Sequence, residues 1–311
     1  MAKKKWISYI QMTGAILLAG SSVVAAKMLC TRLPVFLSQG MSLLLALPIM
    51  LIYRMRKKPQ DTWTRKNRIL IGLQALFGMV GFRVCLLYGM RHISAAAGGI
   101  ILGSTPAVLG LLSYVFLRER PSAKGWLGVL FAIAAVMSLQ TFGAETGDRA
   151  LLGGLLLLLT VVGEALLTIF RKQMDPGVSI VSNVTFVILA AFVLFLPFSA
   201  YEAFQYDWSL FGWAEAALVL YYGVCVTALA YLLWFSGIED TPGHVAAVFT
   251  GVAPVSSVLL AACFGETLRP IHGLSTLLLL IGIWGMARDR GENKKHVSTG
   301  IDSRDIGEAE A

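Results

Sequence analysis

Charge is what this chain has least of. Only 14% of its 311 residues are Asp, Glu, Lys or Arg, whereas a soluble domain keeps roughly a quarter of its positions charged to meet water over its surface. That shortage excludes a soluble globule. Cysteine is also scarce: Cys30, Cys85, Cys225 and Cys263 lie in or beside apolar stretches, without paired or zinc-type spacing. They therefore read as packing residues, with no disulfide framework or metal site. The phosphate loop Gly-x-x-x-x-Gly-Lys-Ser/Thr is missing, which excludes that route to ATP drive, and so is His-Glu-x-x-His. No cofactor or metal is expected. Nor does the chain alternate apolar and polar residues as a membrane barrel must.

What it has instead is long apolar runs. Hydrophobic residues make up 57% of the chain and mean hydropathy is +0.72. A run of about 20 apolar residues matches a hydrocarbon core about 30 Å thick at the helical rise. Such runs fall near 7–28, 34–53, 69–90, 94–117, 124–140, 151–171, 178–200, 213–236, 243–264 and 271–287. Backbone groups in lipid must be satisfied within their own segment, so these runs predict helices. The expectation is an all-α polytopic membrane protein with about ten transmembrane helices. Lys3, Lys4 and Lys5 ahead of the first run have the shape of a signal peptide, but nine further spans make an uncleaved first helix the simpler reading. Residues 288–311 are polar and aperiodic, and predict a disordered tail. The sequon Asn183-Val184-Thr185 falls inside a span, where it carries no meaning.

The net charge of +8 does not point to nucleic acid, because the charges sit in short loops between spans. Of 26 Lys and Arg, the N-terminus and the segments on its side carry 20, the opposite segments carry 5, and Arg83 lies within a span. Positive charge favours the cytoplasm, so both termini are expected there and the protein in the plasma membrane. The acidic Glu239-Asp240 loop is the one segment against the trend.

The two halves resemble one another. His92 and Asp240, Pro106 and Pro254, and Gly125 and Gly273 stand 148 residues apart, and Glu119 and Glu266 stand 147 apart. This divides the chain into repeats over 7–140 and 151–287 of five helices each. An odd number of spans forces the second copy to insert upside down. Inverted repeats with a midplane site between them mark secondary transporters.

Several short motifs follow this frame: Val23-Val24-Ala25-Ala26-Lys27, Ser94-Ala95-Ala96-Ala97, Pro106 with Glu119 thirteen residues on, and Pro254-Val255-Ser256-Ser257 leading to Gly265-Glu266. In their order and spacing the chain resembles the drug/metabolite transporter superfamily, in its ten-helix EamA type. It departs at Gln39-Gly40, where an arginine is common, and in having twelve residues from Pro254 to Glu266. The resemblance implies export of amino acids or related metabolites.

Glu164 is the leading candidate for the chemistry, because an ionised carboxylate near the middle of a span costs at least about 2.5 kcal/mol. Thr160, Glu164, Thr168 and Arg171 share one helix face. The carboxylate either binds an amine or carries a proton, or it makes a buried structural bond. Arg83, within the third span, either holds a substrate carboxylate in bidentate fashion or snorkels to the interface. Lys27, near the outer end of its span, is a substrate-binding or coupling candidate or snorkels to the interface. His244 stands as a pH-sensitive gate or an interfacial residue. Tyr222, Tyr231 and Trp234 offer ring faces to a ligand, or packing and an interfacial belt. Glu119 and Glu266 beside Arg118, Arg120 and Arg269 read as structural ion pairs, and Gly98-Gly99 and Gly103-Ser104 with Pro106 as close helix contact and a bend.

The expectation is therefore a secondary transporter for a small molecule, working by alternating access in the lipid bilayer; a homodimer is compatible with it. A membrane-embedded enzyme for lipid-linked substrates would need a catalytic cluster at one face, which the short loops do not build. A non-transporting subunit would not need charges near the midplane.

Overall fold

The structure, a computed structural model, describes residues 2–118, 123–142, 147–239 and 252–285. Among these residues there is no strand. The helices are α1 (Ala2–Arg32), α2 (Val35–Lys57), α3 (Arg65–Met90), α4 (Ala95–Leu117), α5 (Ala123–Phe142), α6 (Asp148–Lys172) and α7 (Ile180–Gln205). After them come α8, which starts at Trp213 and ends at Glu239, α9 (Val252–Cys263) and α10 (Pro270–Gly285). Seven of them, α1 to α4 and α6 to α8, are long and apolar enough to cross a membrane, and the other three are shorter apolar helices. Each apolar run thus contains a helix; the first part of the ninth run, and His244 with it, lies outside the described residues. The helices overrun their apolar cores into charged ends such as Arg54–Lys57 and Arg171–Lys172, because backbone bonding continues through the interfacial zone. The protein is an all-α membrane protein.

Three helices are irregular. A π-helical stretch occupies Gln74–Gly81 in α3, and another occupies Tyr221–Leu229 in α8, starting 147 residues later. A π turn leaves a carbonyl without its usual partner. In α8 the Thr227 hydroxyl fills that need by donating to the Tyr222 carbonyl at 2.9 Å. In α4 the α-helix stops at Leu102 and restarts at Thr105, with Pro106 in the first turn of the new segment. Pro106 is pre-set for that position, having no N–H to lose. The sequence expected a bend here, and the break stands where α9 comes close: a Cβ on Gly103 would lie 2.9 Å from the Pro254 Cβ.

Packing repeats between the halves. α2 lies against α7, and α4 against α9; α1 packs on α8 and α9 as α6 packs on α3 and α4. Exchanging each helix with the one five places on leaves these pairings unchanged. The antiparallel α2–α7 pair caps itself. Pro34 offers α2 no side-chain cap, and Glu202 from the last turns of α7 accepts the Leu37 N–H at 2.7 Å instead. At the other end Asp61 accepts from the Ser179 N–H at 3.0 Å, the Ser182 hydroxyl at 2.5 Å and Arg54 Nη2 at 3.1 Å. Burial alone would raise the Asp61 pKa. Hydrogen bonds from Ser182, Ser179 and Arg54 outweigh it and hold the carboxyl below its ordinary value. Nearby, bonds from Lys66 and Thr64 lower that of Asp175. Glu266 closes a third helix start, accepting from the Ala95 and Ala96 N–H groups of α4 at 2.8 and 3.0 Å. Its partners are thus backbone donors of the other half rather than the expected arginine; Glu119 lies outside the described residues.

Candidate functional site

Arg83 follows the π-helical stretch of α3, and it is directed inward with 4% of its surface exposed. Its Nη1 donates to Gln39 Oε1 on α2 at 2.6 Å, its Nη2 to Thr227 Oγ1 on α8 at 2.7 Å, and its Nε to Met79 Sδ at 3.2 Å. The guanidinium carbon lies 5.3 Å from the centre of the Tyr222 ring, a cation–π distance. The side chain therefore joins α2, α3 and α8 and does not run to an interface. Among the described residues it forms no ion pair. Gln39 is fully buried and among the described residues its Nε2 has no hydrogen-bond partner; an unmatched buried donor costs about 1–3 kcal/mol.

Glu164 sits on α6 with its side chain partly exposed and no cation bonded to it among the described residues. Its Oε2 is 2.7 Å from the Thr105 hydroxyl, at the restart of α4. The same hydroxyl is 2.7 Å from the Leu102 carbonyl oxygen, across the break. A hydroxyl has one proton to give, so it cannot serve a carboxylate and a carbonyl together. A protonated Glu164 solves this by donating to Thr105 while Thr105 donates to Leu102. An ionised Glu164 takes the Thr105 proton and leaves the Leu102 carbonyl without it. The N-terminal turn of the restarted helix also favours a carboxylate through its dipole.

Tyr231 on α8 lies within electrostatic reach of both Arg83 and Glu164. Trp234, three residues on, shares the Tyr231 face and is partly exposed. The other expected residues are placed elsewhere. Thr160 is buried and donates to the Leu156 carbonyl of its own helix at 3.0 Å, and Thr168 donates to the Glu164 carbonyl at 3.3 Å. Arg171 donates to the Val178 carbonyl at 2.8 Å beyond the end of α6. Of that stripe, Glu164 alone bonds to another helix through its side chain among the described residues. Lys27 donates to the Met90 and Ile93 carbonyls, both at 2.6 Å, tying α1 to the α3–α4 turn.

Thr105, Thr227 and Gln39 as a partner of Arg83 were missed by sequence reasoning. Helical spacing relates residues within one span, whereas these bonds join residues 44 to 144 positions apart. The repeat was the one available signal for Thr227, since Tyr221–Leu229 stands opposite the segment just before Arg83.

An all-α bundle with a repeated helical fold and seven helices long and apolar enough to cross a membrane is that of a multi-pass membrane protein. Residues 6–140 and 151–288 each match the EamA-like transporter family, and the chain belongs to that family. It is 36% identical to the uncharacterized transporter YetK of Bacillus subtilis (strain 168), over 91% of this chain and 88% of that one. The uncharacterized transporter YvbV of the same organism is 24% identical over 85% and 84% of the two chains. Protein PagO of Salmonella typhimurium (strain LT2) is 23% identical over 85% and 88%. One protein of known crystal structure superposes with a TM-score of 0.61 at 15% identity, covering 92% of this chain and 96% of that one; that likeness concerns the fold alone.

Proposed function

We propose that the protein exports amino acids or related small metabolites across the plasma membrane, by alternating access between its two five-helix repeats. The observation that carries this reading is a pair of opposite charges inside the bundle, Arg83 from the first repeat and Glu164 from the second, neither joined in an ion pair among the described residues. Intramembrane ionisable groups are expensive to keep and mark substrate or ion pathways. In this reading Arg83 meets a substrate carboxylate, and Glu164 meets a cationic group or a proton. Tyr231 and Trp234 supply ring faces near them. The matching helix pairings of the two halves support an inverted repeat, in which rocking one half against the other exposes a fixed site to each side in turn.

The test is efflux. Cells with and without the chain are loaded with a panel of amino acids, nucleosides and cationic drugs. Faster loss of one or more amino acids is expected, and loss of cationic drugs alone would replace the substrate class. Orientation is checked in the same system. Single cysteines at Gly147 and Gln205, in a background lacking the native four, should react with impermeant thiol reagents from outside, and one at Gln60 should not. The reverse pattern overturns the cytoplasmic placing of the termini.

A further inference from the structure

Among the described residues, Gln39 and Arg83 carry more N–H donors than they have acceptors. The bond from Arg83 Nη1 to Gln39 Oε1 at 2.6 Å fixes which way the amide lies. Turned over, its NH2 would face a guanidinium N–H, donor against donor. Nε2 is therefore set beside that bond, buried and without a partner among the described residues. The guanidinium too has more N–H groups than the three acceptors it meets. All three acceptors, the Gln39 and Thr227 oxygens and the Met79 sulfur, are neutral, so among the described residues the positive charge has no carboxylate bonded to it. Nε2 shares a carbon with Oε1, which places it within about 5 Å of Arg83 Nη1. One carboxylate spans such a gap.

We infer that Gln39 and Arg83 together make a carboxylate-binding subsite, in which Gln39 Nε2 and the spare guanidinium N–H groups donate to the two oxygens of one substrate carboxylate. The inference rests on the reading of the chain as a transporter of amino acids and related metabolites. It names what those substrates must share, a free carboxylate, and makes Gln39 the residue that selects for it. In the conformation described the donors are covered, with Gln39 0% and Arg83 4% exposed. They border both π-helical stretches: Arg83 comes two residues after Gly81, and its partner Thr227 lies within the second.

The experiment uses the purified full chain in detergent, and follows thermal unfolding with a panel of L-amino acids, each beside its own carboxamide. At least one acid is expected to raise the midpoint while its carboxamide leaves it unchanged. Gln39→Leu should weaken apparent affinity for that acid about tenfold, the value of one hydrogen bond to a charged group. Gln39→Glu supplies a carboxylate from the chain itself. It should raise the midpoint of the free protein and abolish the acid-specific rise, so the result does not depend on a damaged fold. Equal shifts from acid and carboxamide overturn the subsite, and so does an acid-specific shift that survives in Gln39→Glu. A panel with no shift from any acid overturns it as well. Efflux of a neutral or cationic compound from cells would then leave the transporter reading standing and remove the carboxylate subsite alone.

Discussion

Glu164→Gln is expected to abolish the pH dependence of transport and the ability to accumulate substrate, while the protein still inserts and folds. Glutamine keeps the size of the side chain and supplies an NH2 where the protonated acid has its O–H. It donates to the Thr105 oxygen, and Thr105 goes on donating to the Leu102 carbonyl 2.7 Å away. The variant therefore holds the arrangement of the protonated acid at every pH. In the native chain, loss of the proton redirects the Thr105 hydroxyl to the carboxylate and frees the Leu102 carbonyl, at the one break in α4. A change in charge is thus transmitted to a place where α4 and α9 lie close, the Gly103–Pro254 approach. A proton moving across a pH difference of about one unit supplies about 1.4 kcal/mol, or about a tenfold concentration ratio. That ratio should fall to unity in the Gln variant, measured in proteoliposomes with a compound from the efflux panel, while exchange of labelled for unlabelled substrate continues. Transport with an unchanged response to pH would make Glu164 a structural residue. A uniform loss of affinity at every pH would instead assign it to a cationic group of the substrate.

The fold was legible because lipid imposes one rule on a whole span, and hydropathy records that rule residue by residue. Repeat pairings were legible for a similar reason: Pro106 with Pro254 and Gly125 with Gly273 keep one offset along the whole chain. The candidate site was only half legible. Depth alone singled out Glu164 and Arg83, since a charge in an apolar run stands out whatever surrounds it. Their partners are Thr105, Gln39 and Thr227, residues common in membrane helices, and nothing in the local pattern ties them to a charge. The same limit explains the Thr160–Thr168 face. Spacing put both hydroxyls in line with Glu164, but a threonine in a helix can spend its hydroxyl on its own backbone, as both do here. Periodicity does not distinguish that use from a polar lining. Elsewhere on α3, Gln74 exchanges hydrogen bonds with Asn183 on α7, at 3.3 and 2.9 Å, while Arg83 turns toward α2 and α8.

Arg83→Lys and Arg83→Leu should separate binding from packing. A lysine keeps the charge but loses the planar fork, so it cannot reach Gln39, Thr227 and a substrate oxygen together. Under the proposed role, Arg83→Lys expresses normally and binds carboxylate substrates more weakly by about 1–3 kcal/mol, in line with lost charge-assisted bonds. Apparent affinity then falls by about 5- to 150-fold, measured by competition in the efflux assay. Arg83→Leu should stop transport of carboxylate substrates altogether. Its effect on stability is a separate quantity. Removing the guanidinium strands the buried Gln39 Oε1, whereas Thr227 keeps its bond to the Tyr222 carbonyl. A modest fall in unfolding temperature is therefore expected even in a protein that folds. A clamp with no role in binding predicts another order: Leu and Lys each lower the unfolding temperature, and whatever protein survives transports with native affinity. Native affinity in a folded Leu variant would remove Arg83 from the site and leave Glu164 as the charged group on which recognition rests.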